Sequence, residues 1–420
     1  MHLSQLLGQT LVTESGEPVA RVEDVIVRLR GAEYPLVTGL VGRVSGRAVF
    51  IASERIADWS ALPMRLTDTA LSARPFERRD GEVLLRTDVL GHRLIDVAEA
   101  ELVRAYEVEF TLTADGLAVS CLDTRRPARL FGLLRQGAGH PCRDWKAFEP
   151  LIGHAPSEVS RGRFGRLRRL KPAQIADLLE EAGKDEGAEI LHHVHADPEL
   201  EADVFEELDP DIATRLFADR TDDEVAGILS RMRADDAADA VADLPQSRRQ
   251  PLLDALPIGQ RTKVLTLLGY NPSSAGGLMT VDILAVAPDV AAGAAVDAVR
   301  AARSLQPEAL HAVYAVDAGG RLVGTAGLVA LLQAEPGTAL AELLDPDPVR
   351  VAPSTDLADV ALLMADYNLA IVPVVDAEDR LLGVITFDDV LEATIPDEWR
   401  RREPPTRPDP AENADEAPHE

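Results

Sequence analysis

Three periods of apolar positions follow one another along the chain. From Leu6 to Trp59 the apolar residues alternate over short runs broken by turn residues, the pattern of β-strands. GQTLVTESGEPVARVEDVIVRL turns at Ser15–Gly16 and sets Val22, Val25 and Val27 on a strand. YPLVTGLVGRVSGRAVFIA reads as two strands joined at Val44–Ser45–Gly46–Arg47, a hairpin signal. A further β run, ELVRAYEVEFTLTADGLAVSCLD, turns at Asp115–Gly116. Residues 136–168 are rich in Gly, Pro, Arg and His without any period and read as a linker.

From 169 to 272 the period becomes helical and the segments repeat. TDDEVAGILSRM starts at 221, RADDAADAVADL at 233, PQSRRQPLLDAL at 245 and PIGQRTKVLTLL at 257, twelve residues apart, with LDPDIATRLFADR before them. Pro, Asp or Thr near each start matches helix-initiating chemistry. A helix of about two turns cannot stand alone, so these units must stack to bury their apolar stripes. Between 280 and 395 a longer repeat takes over. VVDAEDRLLGVITFDDVLEA, from 374, mirrors AVDAGGRLVGTAGLVALLQA, from 315, and each copy reads strand, helix, strand, turn, strand, helix. The last stretch, 396–420, is charged, Pro-rich and nearly free of apolar residues, a composition that predicts disorder.

Charge sharpens this division. The 420 residues carry a formal net charge of −28, which argues against general binding to nucleic acid or an anionic membrane. Residues 1–170 hold 24 Lys+Arg against 22 Asp+Glu, and residues 171–420 hold 19 against 49, so the acidic excess lies wholly in the second part. The basic cluster RGRFGRLRRL (161–170) reads as a solvated linker or the partner of an acidic neighbour. No run of about 18 uncharged apolar residues is present, so no membrane insertion is expected. The start lacks the basic and apolar regions of a signal peptide. Cys121 and Cys142 have no metal-type spacing and read as reduced thiols of a cytoplasmic protein. His192, His193 and His195 lack a matching Cys/His set and read as exposed surface histidines. No nucleophile–base set, P-loop or zinc-ligand spacing points to an enzyme.

One repeat unit is electrostatically unusual. Asp235, Asp239 and Asp243 fall four apart and form one stripe on a helix, with Asp236 beside it. Like charges at this spacing destabilise a helix by a few tenths of a kcal/mol per pair. A divalent cation would reverse that penalty, and a solvated acidic face would tolerate it.

Several of these motifs resemble known families. Residues 1–80 resemble the PRC-barrel family, with Gly8, Gly16 and Asp24 at its turn glycines and strand-ending acid, and residues 81–135 look like a degenerate second copy. DDAADAVADL and LGYNPSSAGGLMT (268–280) resemble the N-terminal domain and domain junction of MgtE-type magnesium channels, over 169–272. The two copies at about 280–338 and 343–395, within 273–395, resemble tandem CBS domains, with Val286-Ala287-Pro288 mirrored by Val351-Ala352-Pro353. The expected fold is therefore multidomain: a β PRC-barrel-like region, an all-α superhelical repeat domain, an α/β CBS pair and a disordered acidic tail.

The resemblance implies site residues. The CBS signature for an adenine nucleotide such as ATP is met by Gly383, Thr386 and Asp389, with the strand edge Ile371 to Pro373 facing adenine. In the first copy Gly327 and Ala330 break it. By position in the MgtE pattern, Asp235 and Asp239 would bind Mg2+ from the helical domain, and Asp356, Asp366, Asp389 and Glu392 from the CBS pair. Asn368 and Ala358 stand where further acids would help. A CBS pair also implies a homodimer. With a charged tail in place of the channel's membrane domain, the resemblance implies a cytoplasmic Mg2+ sensor acting on a separate membrane transporter or another partner. The competing readings are a nucleotide-responsive CBS regulator and an RNA- or ribosome-associated scaffold built on the barrel.

Overall fold

In this computed structural model, residues 1–30, 33–61, 63–67, 76–79, 81–124, 142–150 and 166–395 are described. The expected tail, 396–420, lies outside them. The chain divides into two units, Met1–Ala213 and Thr214–Glu420.

The first unit opens with a short helix, α1 (Leu3–Leu6), and the alternating stretch that follows forms strands as expected. β1 (Thr10–Val12), β2 (Pro18–Arg30), β3 (Glu33–Val44), β4 (Arg47–Ala52), β5 (Met64–Arg65) and β6 (Glu82–Leu84) are followed by β7 (Arg93–Asp96), β8 (Glu101–Arg104), β9 (Glu107–Thr113) and β10 (Gly116–Asp123). The β3–β4 turn carries positive φ at Ser45 (48°) and Gly46 (84°), the geometry that a two-residue hairpin demands. A nine-stranded curled sheet has the path β11-β10-β3-β2-β1-β5, where β11 is Arg143–Asp144. β12 (Phe148–Pro150), β7 and β8 form a second, smaller sheet.

The two β stretches share one sheet. β6 pairs with β2, and β10 pairs with β3 at Ala118↔Leu36. One core runs through both, from Leu3, Leu11, Val25 and Leu40 to Val83, Val108, Val119 and Phe148. Asp24 is the polar tie between them. Its buried carboxylate accepts from Arg86 N at 2.7 Å, Thr87 N at 3.0 Å and Thr87 Oγ1 at 2.7 Å. Burial pushes the Asp24 carboxyl up despite these bonds.

The segment expected as a linker is in part structured. Residues 143–150 supply β11 and β12 because Trp145 and Phe148, both buried, insert into the sheet core. The cysteines also depart from expectation. Cys121 and Cys142 form a disulfide, because the β10–β11 pairing Leu122↔Arg143 brings them to a Cα–Cα distance of 5.6 Å.

Helices α2 (Pro172–Glu181), α3 (Lys184–His195) and α4 (Pro198–Glu206) follow within the same unit. Arg93 on β7 donates to Glu181 O at 3.1 Å and Glu186 Oε2 at 3.2 Å, joining sheet and helices. The basic cluster, where described, meets acids: Arg168 pairs with Asp197 at 3.4 Å. His195, exposed as expected, pairs with the buried Glu201 at 2.9 Å.

Helix α5 (Pro210–Ala218) spans the boundary. Beyond it come α6 (Asp222–Leu229), α7 (Ala234–Asp243), α8 (Gln246–Ala255) and α9 (Ile258–Leu267). Thr221 caps α6 in a capping box with Glu224, and Pro245 and Pro257 stand at the N-caps of α8 and α9. Packing runs between alternate helices, α6 with α8 and α7 with α9. The twelve-residue period recurs in the bonding. Arg248 donates to Phe217 O and Arg220 O, and Gln260, twelve residues on, donates to Leu229 O and Met232 O. Each unit thus satisfies carbonyls left open at an earlier helix end.

After α10 (Ala275–Leu278) the α/β repeats begin. The first holds β13 (Ala285–Val286), α11 (Ala292–Ala301), β14 (Ala312–Val316), β15 (Leu322–Gly327) and α12 (Leu328–Gln333). The second holds α13 (Leu357–Tyr367), β16 (Ile371–Val375), β17 (Leu381–Thr386) and α14 (Phe387–Thr394). Thr280, ahead of the first repeat, bridges Val384 of the second, and Asp345, ahead of the second, bridges Thr325 of the first. Among the described residues no helix is long and apolar enough to cross a membrane.

Candidate functional site

The acidic stripe lies on α7. Ala234, Ala237, Ala238 and Val241 bury one face of that helix, which leaves Asp239 and Asp243 toward solvent and Asp235 at its margin, 8% exposed. Asp239 is exposed over much of its surface, with its carboxyl beside the packed face of the helix. Burial nevertheless pushes its carboxyl up to about 6, and the charge of Asp243 adds to the rise.

The second acidic element is the start of α14. Thr386 is buried, and its hydroxyl lies 2.6 Å from Asp388 Oδ1 and 2.5 Å from Asp389 Oδ2. One hydroxyl proton serves only one of these acceptors at a time. The Asp389 side chain is 12% exposed. Burial raises its carboxyl, the Thr386 bond opposes that rise, Asp388 adds to it, and Arg233 subtracts.

Arg233 links the two elements. Standing at the N-cap of α7, it bonds Asp236 at 2.5 Å, and its Nη1 lies 3.9 Å from Asp389 Oδ1. Gln306, with its amide oxygen turned to the guanidinium, accepts from Nε and Nη1 at 3.1 Å. The sequence reading missed both Arg233 and Gln306. The available signal was a lone arginine heading the acidic unit RADDAADAVADL.

The other expected metal residues are exposed. Asp356 is the exposed N-cap of α13, held at its backbone by a bridge to Ser274. Asp366 and Glu392 are exposed on α13 and α14. Among the described residues, the six carboxylates nowhere bring three ligand oxygens within 4.8 Å of one another. Asn368 has a separate reason to be present. It ends α13 in the left-handed conformation, φ 52°, which asparagine tolerates.

The expected nucleotide residues sit on one hairpin end. Ile371 pairs with Thr386, Pro373 with Val384, and Gly383 with Val374. A Cβ on Gly383 would lie 2.6 Å from Thr280 O, so that glycine admits the crossing of Thr280. Gly324 does the same for Asp345 O, also at 2.6 Å. Gly276 and Gly277 likewise permit close approach, to the Tyr270 ring and to Asn271 O. Their segment is stapled to the second repeat by Ala275 N→Thr355 O at 2.8 Å and Gly276 N→Pro353 O at 2.9 Å.

Known proteins share these elements. Residues 170–273 match the MgtE intracellular N domain family, and residues 340–395 match the CBS domain family. The chain is 35% identical over 211 residues to the magnesium transporter MgtE of Thermus thermophilus, covering 50% of this chain and 44% of the transporter. It is 30% identical over 130 residues to that of Enterococcus faecalis, covering 31% of this chain and 28% of the transporter. It spans less than half the length of either. A crystal structure of the cytosolic domain of the Mg2+ channel MgtE in complex with ATP aligns with a TM-score of 0.52 at 31% identity, over 57% of this chain and 95% of that chain. An MgtE N domain joined to CBS sequence is therefore present here.

Proposed function

We propose that this chain is a cytoplasmic Mg2+-responsive regulator in which the ion offsets repulsion between the acidic stripe of α7 and the acidic start of α14. The observation that carries this reading is geometric: Arg233, at the head of the acidic α7, lies between Asp236 of that helix and the largely buried Asp389 of α14, so one built-in cation already stands between the two acidic elements. The raised carboxyls of Asp239 and Asp389 agree with it. A cation nearby would return both to the ionised form. The donor set fits a hydrated ion. Carboxylates and water are the ligands Mg2+ prefers, and it keeps several waters, so no preformed triad of oxygens is needed. Asp235 and Asp239 would hold it from one side and Asp389 from the other, with Asp356, Asp366 and Glu392 as outlying charges. When bound, the ion supplies positive charge, and the chain's own residues supply the surfaces it draws together.

The likeness to the MgtE cytosolic domain supports this reading, and so does the acidity of the second part of the chain. A homodimer formed through the CBS pair, acting on a separate transporter, completes the proposal. Hydrogen exchange tests it at constant ionic strength. Mg2+ should slow exchange over residues 233–243 and 386–394, and an Asp235→Ala/Asp239→Ala chain should show no change. Equal response in both chains would refute the reading.

A second reading has one observation in its favour. The buried Thr386 hydroxyl at the N-terminus of α14, beside Asp389, is a polar pair suited to an adenine nucleotide, and the relative named above was solved with ATP. Thr386→Ala should then abolish ATP binding and spare the Mg2+ response.

A further inference from the structure

The face of the sheet that carries the disulfide has a donor set of its own. Glu109 on β9 is the cross-strand partner of Cys121 on β10, and His2 bridges Glu109 from the other side. Directly paired residues share a face, so the three side chains form one row across the strands. Cys142, one residue before β11, reaches the same row through the disulfide. Cys121 Sγ lies 3.4 Å from Glu109 Oε2. The ligand atoms of Glu109, Cys121 and Cys142 all lie within 4.8 Å of one another, and all three residues are half-buried. His2 Nδ1 is shielded from water, makes no hydrogen bond to the described residues, and lies 3.5 Å from Glu109 Oε1.

We infer that, once the disulfide is reduced, Cys121, Cys142 and Glu109 form a site for a Zn2+-type divalent ion, with His2 Nδ1 as the fourth donor. Two thiolates, a carboxylate and an imidazole are ligands that Zn2+ takes in tetrahedral sites. The carboxylate decides between this role and that of a reactive thiol. Reactive cysteines sit in electropositive surroundings that favour the thiolate. Here a thiolate at Cys121 would face the Glu109 carboxylate, so the sulfur stays protonated until a cation between them offsets that repulsion. Asp144, the other cross-strand partner of Cys121, is already engaged by Tyr34 Oη at 2.6 Å and Lys146 N at 2.7 Å. It leaves Glu109 as the oxygen donor. The oxidised pair and the metal-bound pair are alternative states of the same two sulfurs. A trialkylphosphine and one water convert the disulfide to two thiols, the phosphine leaving as its oxide, and metal binding then releases the two thiol protons.

The test uses the full chain and Co2+ as the probe. After reduction and removal of the phosphine without air, one equivalent of Co2+ should give a thiolate-to-cobalt charge-transfer band in the near ultraviolet, which Zn2+ then displaces. The oxidised chain should show no band, and Cys142→Ser and Glu109→Gln should each lose it. The band reports sulfur ligation, so Co2+ held by carboxylates elsewhere does not imitate it. A reduced chain with native circular dichroism and no band overturns the inference, as does a band that survives Cys142→Ser. Unfolding of the sheet on reduction also overturns it, because the disulfide would then be structural alone.

Discussion

Replacing Asp239 with Asn should stabilise the protein at neutral pH and not in acid. The carboxyl is raised from 3.8 to about 6, by burial first and by Asp243 second. Between those two values the native state binds a proton that the unfolded chain releases. The contribution of this group is therefore fully present below the unfolded value and is lost as pH rises through about 6. A shift of roughly two units corresponds to an upper bound of about 3 kcal/mol. Asp239 is exposed, so solvent screening reduces this to about 1 kcal/mol or less. Asparagine has nearly the same shape and cannot ionise. At pH 7.5, Asp239→Asn should raise the melting temperature by about 2 °C, given the entropy of unfolding of a unit this size. At pH 4 the two chains should melt together. Added Mg2+ should narrow the gap at pH 7.5 by stabilising only the native carboxylate. Calorimetric scans at both pH values, with and without the ion, decide the matter. A variant that is less stable at pH 7.5, or a difference independent of pH, would refute the argument that the carboxylate is held at a cost.

Other substitutions probe separate features. Tyr314 is fully buried and its hydroxyl has no hydrogen-bond partner among the described residues, so Tyr314→Phe should raise stability by about 1 kcal/mol in urea titration; a loss of that size would show that the hydroxyl is satisfied. Gly383→Ala would set a methyl 2.6 Å from Thr280 O, and the strain should cost about 1–3 kcal/mol by the same measurement. Arg233→Met removes the built-in cation between Asp236 and Asp389, so the gain in melting temperature produced by Mg2+ should grow. A smaller gain would mean that Arg233 helps the ion rather than substitutes for it.

The sequence disclosed what depends on local repetition. The twelve-residue units were visible because caps and apolar stripes recur within each. The structure adds that Arg248 and Gln260, at equivalent positions, perform the same carbonyl-capping task. The Ser45–Gly46 turn was visible because two positive φ values leave few residue choices. What stayed hidden depends on partners far along the chain. Trp145 and Phe148 were submerged in a Gly- and Pro-rich stretch, although two bulky aromatics in a supposed linker were a usable clue. The disulfide arises from strand register between segments 21 residues apart, which spacing alone does not set. In the candidate site, Asp235, Asp239 and Asp389 could be named from pattern and resemblance. The salt link through Arg233 could not, because Asp389 lies more than 150 residues away.

The crossing of Thr280 onto Val384 and of Asp345 onto Thr325 has a consequence for how these repeats can be inherited. Each sheet borrows its outermost pairing from the leader of its twin, so a copy cut out alone would lose that neighbour and expose an unfinished edge. Gene fusion or deletion can therefore move the twins as a set with far less damage than it can move either one. A disturbance that loosens one leader is felt first in the opposite twin, so the two copies divide sequence between them but share a single mechanical fate.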